Sequence, residues 1–589
     1  MRWLVLALLV FIASTVCYYF QSSHTTDFTK FSSVEFKNAS EPLTKHTQEF
    51  FKDGKSPFIY TVSERIHVAI GFGLANSILV IGDDGYIVID VMESVEPAQA
   101  VKAEFDKLTH GLPLKAIIYT HNHQDHVYGA QAFIDGQEDV QIWSHASTLQ
   151  YLNRALSLTS VVEYTRGFRQ FGANLPESQK VNSGIGLFLA ANATTTPGAV
   201  QPTHTFDGDS VDIKVAGLEL TLLHAPGETD DQIVIWYEKE KVLFAADNFY
   251  RAFPNLYAIR GTPARDSKKW VHSLDLMRNL KCEIIVPSHT KPLFGREFIY
   301  NTLTAYRDAV QIVHDQTVRY LNLGYSVDEI VQKVHLPEHL RTNEFLIEFY
   351  GTVEWSIRGI VTFYVGFFSG QPVHLFPLGP NEHAKEFVEF GGGFDAVLSK
   401  AEQAIADNRL QWALECIYNL YNLDSTNQHV RDLYVNILRL RAATQVSANA
   451  RNYYLSYAHE LETQQWIRPT KKQLGDSVEL LSIELIFETL VTILDAKESE
   501  DVDSVIHFKF TDSEKLMNLH ICRGVARLNV DNDLEPDIVV EMTERTYKDI
   551  VAQKRNPLLA LTTGDVSVTK GSAITFGSLM KLFKSSLDV

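Results

Sequence analysis

Thr120-His121-Asn122-His123-Gln124-Asp125-His126 stands directly behind the apolar run Ala116-Ile117-Ile118-Tyr119, so three histidines and an aspartate occupy six positions at the end of a strand-like segment. Alternate residues of an extended chain leave on the same face, and a tight loop beyond it turns the next residues away. His121 and His123 can therefore share one metal ion, and Asp125 and His126 can serve a second one close by. Zinc takes imidazole and carboxylate ligands and, in catalytic sites, keeps one position for water. Two metals in one cleft point to hydrolysis.

One loop cannot close two such sites, and later strand ends offer more donors. Leu220-Thr221-Leu222-Leu223 runs into His224-Ala225-Pro226-Gly227-Glu228, where Pro-Gly marks a sharp turn. Lys241-Val242-Leu243-Phe244-Ala245-Ala246 leads into Asp247, 19 positions after Glu228, and Ile284-Ile285-Val286-Pro287 leads into Ser288-His289-Thr290. Glu228, Asp247 and His289 are the candidate ligands. The neighbouring His224, Asp230 and Asp231 read as solvated turn groups or partners of ligands.

This order of motifs resembles the metallo-β-lactamase superfamily and, within it, the bacterial alkylsulfatases, which carry Glu after the turn, as at Glu228, and an acid 19 residues on, as at Asp247. Asn255-Leu256-Tyr257-Ala258-Ile259-Arg260-Gly261 and Arg265-Asp266 are similar to that family's sulfate-holding segment, so the resemblance implies Asn255 and Arg260 as sulfate ligands. Arginine's planar fork of donors suits a tetrahedral oxyanion. The resemblance also implies an αββα sandwich, an all-α dimerisation domain over 305–465, and a small α+β sterol-carrier-like domain over 475–589. In the leading scheme His121, His123 and Glu228 hold one zinc, Asp125, His126 and His289 hold the other, and Asp247 bridges. Asp125 is also the candidate catalytic residue. Departures from the family lie at Glu228-Thr229-Asp230-Asp231-Gln232, at Asp247, at Tyr250-Arg251-Ala252-Phe253-Pro254 and at Thr290, and they suggest a rewritten pocket wall.

The expected activity is hydrolysis of an alkyl sulfate ester by a homodimer with two Zn²⁺ per chain. One rival keeps the metals and changes the ester to a thioester, lactone or phosphodiester. Another is a non-catalytic secreted lipid-binding protein.

The 589 residues, 45% apolar, suffice for three domains. A formal net charge of −19 disfavours nucleic acid as a partner. Residues 1–20 are nearly uninterrupted apolar sequence after Arg2 and read as a secretory signal or a signal anchor. Either places the body outside the cell or in a lumen, secreted or held by one N-terminal transmembrane helix, with Asn38 and Asn192 in glycosylation sequons. Cys17, Cys282, Cys416 and Cys522 form neither a disulfide framework nor a zinc spacing.

Residues 21–55 are polar and Ser/Thr-rich, and read as a linker to a catalytic domain over 56–304. Strand-like runs and turns alternate over 66–91, and the Gly71/Gly73 loop reads as a turn near the mouth of the site. From 302 to about 460 the period is helical, and Asp395–Ala406 with Trp412–Tyr421 suggests an antiparallel helix pair of tetratricopeptide type. The aromatic residues Phe363, Tyr364, Phe367 and Phe368 suggest a subunit interface.

Overall fold

The computed structural model describes residues 39–584 apart from Glu138, Ala193, Asp531 and Asn532. The apolar leader, Cys17 and the sequon asparagine Asn38 lie outside the described residues, and among those described no helix is long and apolar enough to cross a membrane.

Two sheets face each other. The first runs in chain order through β1 (Phe58–Thr61), β2 (Ile66–Ile70), β3 (Ser77–Ile81), β4 (Tyr86–Ile89), β5 (Leu114–Ile118), β6 (Gln141–His145) and β7 (His204–Phe206). The second holds β8 (Ser210–Val215), β9 (Leu218–His224), β10 (Ile233–Tyr237), β11 (Val242–Ala246), β12 (Ile284–Pro287) and β13 (Leu293–Phe294). β2, β4, β10 and β11 are buried at every residue, and such strands, covered on both faces, read as continuous apolar runs. Between the sheets Val68, Ile78, Ile87 and Ile118 pack with Leu222, Ile235, Phe244 and Val286. Helices Val95–Thr109 and Ala130–Ile134 cover one outer face, and Ser267–Asn279 and Arg296–Asn322 cover the other. This is the expected αββα sandwich.

The pairing sets the position of the site. β4 and β5 are parallel with Ile89 opposite Ile118, and β11 and β12 are parallel with Ala246 opposite Pro287. Four strand ends therefore deliver Asp90, His121, Asp247 and His289 to one edge of the sandwich.

Two expected boundaries shift. The second half of the expected 21–55 linker folds as helix Glu41–His46 and a 3-10 turn over Thr47–Phe50. Leu43 and Phe50 enter the core, the Asn182 amide donates to the Leu43 carbonyl, and His46 stacks on Phe349 with centroids 3.9 Å apart. So few apolar residues in so short a piece leave no period to detect. The expected division at 304/305 falls inside helix Arg296–Asn322, whose Ile299 and Leu303 pack on the sandwich while Val310 and Val313 continue the same core toward Ile357 and Ile360.

Beyond it, helices Phe394–Ala406, Leu410–Leu423, Gln428–Ala443 and Ala448–Thr463 share one apolar core. Residues 366–371 and 375–379 are irregular, and Phe367, Phe376 and Phe390 are each 95% exposed. The C-terminal module pairs β14 (Asp503–Phe510), β15 (Leu516–Cys522), β16 (Val525–Leu528), β17 (Ile538–Met542) and β18 (Val566–Lys570) in the order β16-β15-β14-β17-β18. Its core joins that of the sandwich's outer helices, and Phe487, Phe508 and Tyr547 fill it with ring contacts of 5.0 to 6.0 Å. Cys282, Cys416 and Cys522 are buried free thiols.

Candidate metal centre and cavity

All seven expected donors meet at the sandwich edge. His121 Nε2 lies 2.9 Å from His123 Nδ1 and 3.8 Å from Asp247 Oδ2. Asp125 Oδ2 lies 3.4 Å from His126 Nε2 and 3.5 Å from His289 Nε2. The same Asp247 oxygen is 3.5 Å from His126 Nε2 and 3.1 Å from His289 Nε2, so it stands between the two clusters. Ligands about 2 Å from a tetrahedral zinc are separated by about 3.3 Å, the scale of these contacts. Two buried atoms, His126 Nε2 and Asp247 Oδ1, have no hydrogen-bond partner. Buried polar atoms without partners are costly, and both fit a cation. Glu228 Oε1 stands farther off, 4.0 Å from His123 Nδ1, and is held at 2.8 Å by Arg265 Nη1.

The electrostatics suit a divalent ion. Burial drives His121 and His123 well below the usual imidazole range, which keeps them neutral. At His126 and His289 burial is outweighed by Asp247 and Asp125, and both rise. At Asp125 burial is outweighed by His126 and His289, which bring it down to about 2. Burial of Glu228 outweighs the opposing pull of Arg265 and raises its carboxyl.

Sequence reasoning missed the group that aligns the ligands. Asp90, at a left-handed φ of 58° just after β4, accepts from Thr120 N and Oγ1, both at 2.9 Å, and from Ser288 Oγ and His126 Nδ1, both at 2.7 Å. His126 thus carries its proton on Nδ1 and turns Nε2 to the centre. His289 does the same by donating Nδ1–H to the Leu74 carbonyl at 2.9 Å. The only signal for Asp90 was an acid at a strand end beside four apolar residues.

A cavity of about 230 Å³ opens on the centre. Its floor includes His123, Asp125, Glu228, Asp247, Arg260 and Arg265, and its wall includes Leu156, Phe168 and Phe171. Arg260 Nη2 meets His123 Nε2 at 3.1 Å, while its buried Nη1 and the Nε and Nη2 of Arg265 have no partner. Asn255, the other expected sulfate ligand, does not line the cavity. It is buried behind it, gives its carbonyl to Arg265 Nη1 and leaves its amide unpartnered. Of the departing segments, Glu228, Thr229 and Asp230 line the cavity. Residues 251–254 do not, and Arg251 instead pairs with Glu49 and Glu344. That part of the expected pocket wall is a dock for the 3-10 turn Thr47–Phe50.

The wall helix Ser160–Phe171 is gripped from two sides. Arg169 makes a bidentate pair with buried Glu460 of the helical region at 2.8 and 3.1 Å, and Tyr164 Oη donates to Gln473 Oε1 of the C-terminal module at 3.0 Å. Gln473 and Ser477 complete the rim.

Fold and donor sets together define a protein of the metallo-β-lactamase class. Residues 70–289 match the metallo-beta-lactamase superfamily, 326–464 alkyl sulfatase dimerisation, and 471–587 the alkyl sulfatase C-terminal family. The chain is 34% identical over 504 residues to the linear primary-alkylsulfatase of Pseudomonas sp. (strain ATCC 19151), spanning 82% of this chain and 94% of that protein. It is 26% identical over 539 residues to an alkyl/aryl-sulfatase of Saccharomyces cerevisiae, spanning 89% and 82%. The solved stereoselective inverting sec-alkylsulfatase of Pseudomonas sp. superposes with a TM-score of 0.85 at 25% identity, covering 94% of this chain and 88% of that one. The chain belongs to the alkylsulfatase family of the metallo-β-lactamase superfamily.

Proposed function

We propose that the protein is a dinuclear zinc hydrolase that cleaves alkyl sulfate esters to alcohol and sulfate. His121, His123 and Glu228 would hold one ion and Asp125, His126 and His289 the other, with the Asp247 carboxylate available to both. The observation that carries this proposal is one cavity combining buried metal donors, two arginines with unpartnered N–H groups, and an apolar wall. Zinc held there would supply Lewis-acid activation of water near neutral pH and a counter-charge for the departing sulfate.

The chain's own residues do the rest. Arg260 offers a planar pair of donors to the sulfate oxygens, with Asn255 behind it in the same segment. Arg265 neutralises Glu228 so that a buried carboxylate is tolerated beside the anion. Asp125, anionic and lining the cavity, would be a ligand whose carboxylate oxygen also accepts a hydrogen bond from the attacking water and so orients it. Leu156, Phe168 and Phe171 cover the alkyl group. The relatives named as alkylsulfatases support the substrate class. The match to a dimerisation family, with the exposed Phe367 and Phe376, supports a homodimer. The apolar run over 1–20 supports a secreted or lumenal body.

Elemental analysis should give about two zinc ions per chain. A panel of medium-chain alkyl sulfate, phosphodiester, thioester and lactone should show turnover of the alkyl sulfate. Arg260→Ala should lower its kcat/KM by about 30- to 1,000-fold, or about 2 to 4 kcal/mol, with the metals retained and lysine restoring only part. A wild type that ignores alkyl sulfates and cleaves a neutral ester equally with or without Arg260 refutes the sulfatase assignment. A protein without metal, unrescued by added zinc, refutes the hydrolase.

A further inference from the structure

Glu93 is fully buried in the turn between β4 and helix Val95–Thr109, yet it lines the cavity and has no place in the chemistry above. Its Oε1 accepts from Leu74 N at 2.9 Å and from Ala190 N at 2.6 Å, and its Oε2 has no partner. Ser94, next in sequence, donates Oγ–H to the Ala190 carbonyl at 2.8 Å, so both sides of that residue are pinned. The backbone carbonyl of Glu93 accepts from the Gln124 amide at 3.4 Å, one residue before Asp125. Gly73 lies so close that a Cβ there would stand 2.4 Å from the Glu93 carboxylate. Burial lifts this carboxyl to about 7. An acid retained under that penalty needs a compensating role.

Leu74 supplies that role. Its N–H is fixed by Glu93, and its carbonyl, on the next peptide group across the same Cα, accepts the Nδ1–H of His289 at 2.9 Å. Groups that orient a ligand imidazole through its second nitrogen tune metal affinity by about 10- to 100-fold.

We propose that Glu93 is a positioning residue for the metal centre, which fixes the tautomer and direction of His289 through the backbone of Leu74 and ties the loop at Leu189–Ala191 to the same point. The proposal rests on the metal reading above. It requires an acceptor at Oε1 and not a charge, because the two bonds that matter are both donated by backbone N–H groups.

Titrating the full-length apoprotein with Co²⁺ against a competing chelator tests this. Wild type should bind two equivalents. Glu93→Ala should weaken one equivalent at least tenfold and leave the other within about twofold, because only one cluster contains His289. Glu93→Gln keeps an oxygen for both N–H groups and should hold both within about twofold. Gly73→Ala, which pushes the same loop off the carboxylate, should reproduce the selective loss, and adding it to Glu93→Ala should cost nothing further. It also carries the test if Glu93→Ala does not fold. Wild-type binding of both equivalents by Glu93→Ala, or an equal loss at both with Gly73→Ala harmless, overturns the proposal. A wild type that takes up no cobalt overturns the metal reading beneath it.

Discussion

Replacing Asp90 by asparagine changes one atom and should disable half of the centre. Oδ2 receives Thr120 Oγ1, Ser288 Oγ and His126 Nδ1, while Oδ1 receives only Thr120 N. An asparagine therefore keeps its oxygen at the threefold position and points its NH₂ at the Thr120 N–H, donor against donor. That leaves a buried N–H unsatisfied at about 1 to 3 kcal/mol and weakens the remaining three bonds, which lose a charged acceptor. With less to hold its proton on Nδ1, His126 spends more time with Nε2 protonated and unable to bind an ion. Loss of such a partner costs about 10- to 100-fold in metal affinity, or about 1.4 to 2.7 kcal/mol. Chelator competition on zinc-loaded Asp90→Asn should show one ion released at that lower threshold, and excess zinc should restore much of the turnover. If both ions are held within twofold of wild type, Asp90 does not set the His126 tautomer and the reasoning is wrong.

Other expectations follow from the same geometry. Arg265→Met strands Glu228 as an uncompensated buried carboxylate, so it should destabilise the fold by about 3 to 5 kcal/mol. The double variant with Glu228→Gln should recover most of that in denaturant melts. His46 is pushed down to about 4 by burial, with Arg251 adding to the effect and the Gly184 carbonyl opposing it. Its neutral form is the folded form, so this stabilisation is complete above about 6.5 and fades as pH falls toward 4, by up to about 3 kcal/mol. Proteolysis of the 39–50 segment should accelerate across that window, and His46→Gln, which keeps an N–H for Gly184, should flatten the dependence. Light scattering should give twice the 66.6 kDa of one chain, and Phe367→Ser with Phe376→Ser should give a monomer. A wild-type monomer at micromolar concentration contradicts this.

The candidate metal donors were legible as a cluster because ligand chemistry demands particular side chains at strand ends, and strand ends announce themselves by apolar runs such as Ile284–Pro287 before Ser288-His289. The sandwich was legible for the same reason, since covered strands leave no polar alternation. Asp90 and Glu93 were not, because each acts through hydrogen bonds to residues distant in sequence and neither carries a local motif. Arg265 stands in a recognisable segment, but its partner does not, since only the fold brings it to Glu228. Residues 251–254 misled: a departure from a family pattern marks a changed neighbour, and here that neighbour is Glu49 of the 3-10 turn Thr47–Phe50, a short piece whose packing no periodicity could forecast.

The double grip on helix Ser160–Phe171 has an evolutionary corollary. The candidate reactive residues sit in one contiguous third of the chain, but the apolar wall of the cavity is braced by Glu460 and Gln473, far downstream. Recombination or drift confined to the last two modules can thus retune which molecules are accepted while every reactive group stays untouched. A lineage could change its diet without relearning its chemistry.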